Sequence, residues 1–172
     1  MKEMPSEFEL ERLYDEHAQA LFAFLLNFTR NEPDTRDALQ EVFVKIARRP
    51  SVLRSARDVR AFLIHLAHNT AIDLMRRRET LGKYHRKYRM EISQFAPSDD
   101  PDEAAFRAAL TNALGKLPAD QRAVLHLKLW EGLTFERIAD VLDIPANTAA
   151  SRYRYGLDKL RELLRPLYEE LK

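Results

Sequence analysis

The stretch LTFERIADVLDIPANTAASRYRYGLDKL, Leu133 to Leu160, decides how this chain is read. Thr134 is placed to cap a short helix, with Glu136 in its first turn against the positive end of the helix dipole. Ile138, Val141 and Leu142 then recur at the spacing of one buried face. Ile144 and Pro145 break that pattern as a tight turn, and a longer helix follows with Ala149, Tyr153, Gly156, Leu157, Leu160 and Leu164 on its inner side. At about 100° per residue, Asn147, Thr148, Ser151, Arg154 and Tyr155 point away from that side, with Arg152 at the flank. Amide, hydroxyl and guanidinium groups at the start of such a helix hydrogen-bond base edges in the major groove, and a Thr methyl touches a thymine methyl. The pattern is that of a helix-turn-helix, and DNA is the first partner to expect. The plainer alternative is a helical hairpin in which Arg152 pairs with Glu136.

Upstream of this motif, Ala105, Phe106, Ala109, Leu110, Ala113, Leu114 and Leu117 form a helical stripe, and Pro118 opens another helix with Val124, Leu125, Leu127 and Leu129 inward. These elements and the helix-turn-helix make one bundle over residues 102–169. From Gly82 to Pro101 periodicity is lost and two prolines appear, which suits a flexible linker over 82–101. Before it, a second bundle is expected over 6–81. A first helix runs from about residue 6 to 30. Asp34 is placed to cap the next, which sends Leu39, Phe43 and Ile46 inward and Asp37, Gln40, Glu41 and Lys45 elsewhere, beside Val42 and Val44. Arg49-Pro50-Ser51 ends it. A third helix spans about 58 to 78 with Phe62, Leu63, Leu66, Ala67, Thr70 and Leu74 along one stripe.

The fold class expected is all-α: two small helical bundles joined by that linker. With 172 residues, four glycines and no cysteine, composition favours helices and excludes disulfides and Cys-ligated metal sites. No apolar run reaches the roughly 18 to 20 residues that cross a bilayer, and residues 1–10 lack the character of a signal peptide, so a cytoplasmic protein without membrane contact of its own is expected. The formal net charge is only +1. Its distribution matters more: between Arg76 and Arg89 seven cations face Glu79 alone, and an acidic block follows from Asp99 to Glu103. His65 and His68 are read as solvent-facing or hydrogen-bonded rather than as metal ligands, since no third ligand lies near.

Two blocks of the N-terminal half, DTRDALQEVFVKIAR (Asp34 to Arg48) and RAFLIHLAHNTAIDLMRRR (Arg60 to Arg78), resemble region 2 of the small extracytoplasmic-function sigma factors. LPADQRAVLHLKLWEGLTFERIADVLDIPANTAASRYR, Leu117 to Arg154, resembles their region 4. The resemblance covers about residues 10 to 165 in the family's order. It implies a promoter-specificity subunit of bacterial RNA polymerase, acting without catalysis, cofactor or metal. Asp37, Gln40, Glu41 and Lys45 would dock on the clamp helices of the largest polymerase subunit. Phe62, His65, Asn69, Arg76, Arg77 and Arg78 would melt and hold the −10 element, Asn69 reading a base edge and the arginines holding phosphates. Asn147, Thr148, Ser151, Arg152, Arg154 and Tyr155 would read the −35 element. An anti-sigma protein is the further partner implied.

Departures from the family pattern are confined to a few positions. Phe62 stands where Trp is usual, keeping an aromatic ring and losing the indole donor. Asn147, Ala150, Tyr155 and Leu157 stand where Gly, Lys, Arg and Arg are common, so weaker phosphate binding and an unusual upstream element are expected. Two other readings compete: a decoy that sequesters an anti-sigma factor, which has no need of the basic cluster, and a stand-alone helix-turn-helix regulator, which needs a dimerisation face. A catalytic reading has no nucleophile, phosphate loop or ligand cluster to rest on.

Overall fold

A computed structural model describes residues 7–81 and 100–170. Eight helices and no strand occur among them: α1 (Glu7–Thr29), α2 (Glu32–Arg48), α3 (Ser51–Arg54), α4 (Val59–Thr80), α5 (Pro101–Gly115), α6 (Ala119–Leu129), α7 (Phe135–Leu142) and α8 (Ala146–Glu170). They fall into two compact units, α1 to α4 and α5 to α8. Nearly all of the linker expected over 82–101, and the basic residues from Lys83 to Arg89, lie outside the described residues. Its last residue, Pro101, is already the first residue of α5, behind an Asp100 cap that accepts from the Asp102 amide.

In the first unit α1, α2 and α4 pack mutually. Leu21, Phe24, Leu25 and Phe28 of α1, Val42 and Ile46 of α2, and Leu63, Ile64 and Ala67 of α4 are buried. The turn from α1 to α2 uses Arg30 in the left-handed region, φ 56°. It is closed by a buried hydroxyl pair, Thr29 Oγ1 to Thr35 Oγ1 at 2.8 Å, with Thr35 also donating to the Asn31 carbonyl at 2.9 Å. Asn31, not Asp34, caps α2: its side chain accepts from the Asp34 amide at 3.0 Å. Proline is favoured in the first turn of a helix, so Pro33 puts the cap before itself and leaves Asp34 inside the first turn. There Asp34 is fully buried.

Three further expectations shift. The Pro50 break is followed by the single turn α3, which sequence periodicity did not indicate. Along α4 the buried stripe is Leu63, Ile64, Ala67, His68, Thr70 and Ala71, while Phe62, Leu66 and Leu74 are only half-buried, because α1 and α2 both cover the helix and widen its inner face. His68 therefore faces the core, its ring 5.0 Å from Phe28 and 6.4 Å from Phe24.

The second unit is organised on α8, against which α5, α6 and α7 pack. Ala113, Leu114, Leu117, Leu125, Leu160 and Leu164 form its core, with Ile138, Val141, Leu142 and Ala149 under the α7–α8 turn. Leu129, expected inward, is half-exposed at the end of α6, where the chain turns off into the Gly132 loop. Gly156 lets α8 approach α6 closely: a Cβ there would lie 2.9 Å from Leu125 Cδ1 and 3.3 Å from its Cγ. Gly156→Val should therefore lower stability by about 1–3 kcal/mol, since Leu125 is itself enclosed in the core and has little room to yield. Urea unfolding of the full chain checks this, and an unchanged midpoint would mean that the two helices can separate at no cost.

Candidate nucleic-acid interface

The helix-turn-helix forms as its residues dictate. Thr134 Oγ1 accepts the Arg137 amide at 3.2 Å and starts α7. Asp143 ends it in the left-handed region at φ 56°, a conformation that Asp and Asn tolerate better than other side chains. The Ile144 amide returns to the Ala139 carbonyl at 3.0 Å, and Pro145 leads directly into α8. Asn147, Arg154 and Tyr155 are exposed, and Thr148 and Ser151 are half-exposed on the same side. The Arg154 guanidinium lies 5.3 Å from the Tyr155 ring centre. Arg152 is turned elsewhere: its Nε is 3.3 Å from Asp120 Oδ2 at the start of α6, not paired with Glu136. Arg154 is thus the cation of this helix's first three turns that stays with the polar face.

In the first unit, Phe62, His65, Asn69 and Arg76 recur at three-, four- and seven-residue steps and share one side of α4. Asn69 and Arg76 are exposed, and Phe62 and His65 half-exposed. The Asn69 amide nitrogen sits 3.1 Å from His65 Nε2. The three consecutive arginines do not form one surface. Two and a half turns beyond Asn69, Arg78 points to the opposite side of the helix, toward α2. There it forms an ion pair with buried Asp34 and reaches Asp37 Oδ2 at 2.7 Å. Arg77 lies between, its Nη2 3.1 Å from Glu41 Oε2.

Glu41 of α2 is drawn into this same seam. Glu41 takes Arg77 and lies 3.6 Å from Lys45 Nζ, and Lys45 also donates to Thr70 Oγ1 of α4 at 3.0 Å. Val42, expected beside the docking patch, is completely buried. What α2 leaves outward includes Arg36, Gln40, Val44 and Arg48, with Asp37 alongside. Exposed Tyr14 of α1 borders them, its ring 4.9 Å from Phe43. Tyr14 and Arg48 did not stand out in the sequence. Val44, Arg48 and Gln40 are four residues apart in steps, and that spacing is the one available signal. Among the described residues no group of His, Asp or Glu side chains is arranged to hold a metal, and no helix is long and apolar enough to cross a membrane.

A four-helix unit with an aromatic and basic stripe along α4, followed by a helix-turn-helix unit with a polar face on α8, has the architecture of a DNA-binding protein of two helical domains. The sequence comparisons make that specific. Residues 13–80 match the family model for sigma-70 region 2 and residues 113–162 that for sigma-70 region 4. The chain belongs to the sigma-70 family, in its extracytoplasmic-function group. It is 32% identical over 162 residues to the ECF RNA polymerase sigma factor SigL of Mycobacterium tuberculosis, covering 92% of this chain and 90% of that one. It is 30% identical over 161 residues to RNA polymerase sigma factor CarQ of Myxococcus xanthus, covering 94% and 92%. The sigma factor RpoE of Bartonella quintana, solved with the anti-sigma factor NepR, shares the fold with a TM-score of 0.73 at 22% identity, covering 91% of this chain and 97% of that one.

Proposed function

We propose that this chain is an alternative sigma factor that gives bacterial RNA polymerase its choice of promoter and initiates transcription of a specialised set of genes. The observation that carries the proposal is the match of regions 2 and 4, in order, to two helical units that each present a polar face of the required chemistry. The first unit docks on the polymerase core through the outward side of α2 and captures the opened −10 element along α4. Phe62 and Asn69 meet unpaired bases, and Arg76 and Arg77 hold the backbone. The second reads the −35 element with Asn147, Thr148, Ser151, Arg154 and Tyr155. The factor performs no catalysis, needs no cofactor or metal, and works in the cytoplasm where polymerase and promoters are. Control by an anti-sigma protein is the partner suggested by the RpoE–NepR complex.

The test is transcription in vitro with the purified chain, bacterial core polymerase and a promoter library. Transcripts sharing a two-block upstream sequence are expected. An active core that initiates nothing with this chain would refute the reading. Docking is tested separately: Gln40→Ala with Val44→Ala should weaken binding to core at least tenfold, because the central contact of a helix–helix interface is lost. Unchanged affinity would place docking off α2.

A further inference from the structure

The seam between α2 and α4 pairs residues assigned to opposite tasks. Arg77 Nη2 donates to both oxygens of the Glu41 carboxylate, at 3.3 and 3.1 Å. Glu41 belongs to the docking helix and Arg77 to the end of the DNA-capturing helix. The two arginine pairs differ in kind. Arg78 is committed to Asp34, whose side chain is only 1% exposed. The Arg77 and Glu41 side chains are 59% and 32% exposed, so that pair is open to exchange with other ions. A guanidinium with its Nη2 held by a carboxylate, and its Nε on the Asp73 carbonyl at 3.4 Å, offers a phosphate fewer hydrogen bonds and a partly compensated charge, so a phosphate binds it better once Glu41 lets go.

We infer that Glu41 is an autoinhibitory contact, lowering the affinity of α4 for nucleic acid in the free chain by occupying Arg77. A basic side chain of a docking partner that takes Glu41 releases Arg77, and by linkage a phosphate that takes Arg77 frees Glu41 for the partner. The inference rests on the proposed docking role of α2 and DNA role of α4. The other charges facing Arg77 are arranged to let this happen. Lys45 shares Glu41 from the α2 side at 3.6 Å, Asp37 is taken by Arg78, and Asp73 and Glu79 are exposed on α4 itself.

The experiment measures anisotropy of a labelled fork-junction DNA, duplex with a single-stranded non-template tail, titrated with the full chain. Glu41→Gln should bind about two- to fivefold more tightly than the unaltered chain, the range an exposed ion pair spans. Glu79→Gln removes the same charge two residues from Arg77, on the other side of α4, and should give a smaller gain. In an Arg77→Ala background Glu41→Gln should give none. A gain no larger than that of Glu79→Gln, or one that persists without Arg77, overturns the inference. Arg76→Ala separates this from the wider reading. If it weakens binding while Glu41→Gln does nothing, α4 holds DNA and Glu41 does not mask it. If it leaves binding unchanged, α4 is not the DNA surface and the inference falls with that assignment.

Discussion

Arg78→Ala is expected to lower the unfolding free energy of the first unit by about 3 kcal/mol, because it strands a buried carboxylate without its cation. Asp34 is fully enclosed in the first turn of α2 and Arg78 is its ion-pair partner. The Arg78 side chain keeps 29% of its surface exposed, so water partly enters when it is removed and the loss sits at the low end of what breaking a buried pair costs. Arg76→Ala, two residues away on the exposed side, should change stability by less than about 0.5 kcal/mol. Urea unfolding followed by circular dichroism distinguishes the two. Asp34→Asn in the Arg78→Ala background should recover part of the loss, since the amide carries no charge to strand. Equal stability of the Arg76 and Arg78 variants would mean that the seam is not part of what holds α2 to α4. With Arg78→Ala alone destabilised, as expected, a promoter-opening defect in that variant reads as a folding defect, whereas one in Arg76→Ala reports on DNA.

Asn147→Ala is expected to reduce initiation from the cognate promoter about tenfold and to relax the base preference at one position of the upstream element. An amide that pairs with an adenine edge carries about 1–3 kcal/mol of discrimination. Asn147 is exposed in the first turn of α8, so its loss leaves the fold of the second unit intact. Arg154→Ala should instead weaken binding to all sequences alike and flatten the dependence on salt by about one counterion. Sequenced transcripts from a randomised −35 library measure both. A preference untouched by Asn147→Ala would move the reading head to Thr148 and Ser151.

The helix-turn-helix was legible because everything that makes it is local. Thr134 caps three residues ahead, Ile138, Val141 and Leu142 repeat within one helix, and Pro145 marks the turn. The split of Arg76, Arg77 and Arg78 was not legible for the opposite reason. Three adjacent cations look like one patch in sequence, and only the packing of α2, 36 and 41 residues away along the chain, decides which of them is claimed. Asp34 shows a third case. It and Asn31 are both good caps, and the choice turns on Pro33, which favours the first turn of a helix and so puts the cap ahead of itself. Val42 was misplaced because α1 and α4 cover α2 from two directions, which no single-helix periodicity reveals.

The unbroken course of α4 has a metric consequence. Asn69 and Arg76 are seven residues apart on one side of a single helix, a span of about 10 Å. Successive nucleotides of a stacked strand rise about 3.4 Å. On the proposed reading, the base captured at Asn69 and the phosphate gripped at Arg76 are about three nucleotides apart, and the helix acts as a ruler for the opened strand. One residue added between them would turn Arg76 by about 100° from the strand, and would turn Arg78 away from buried Asp34 as well.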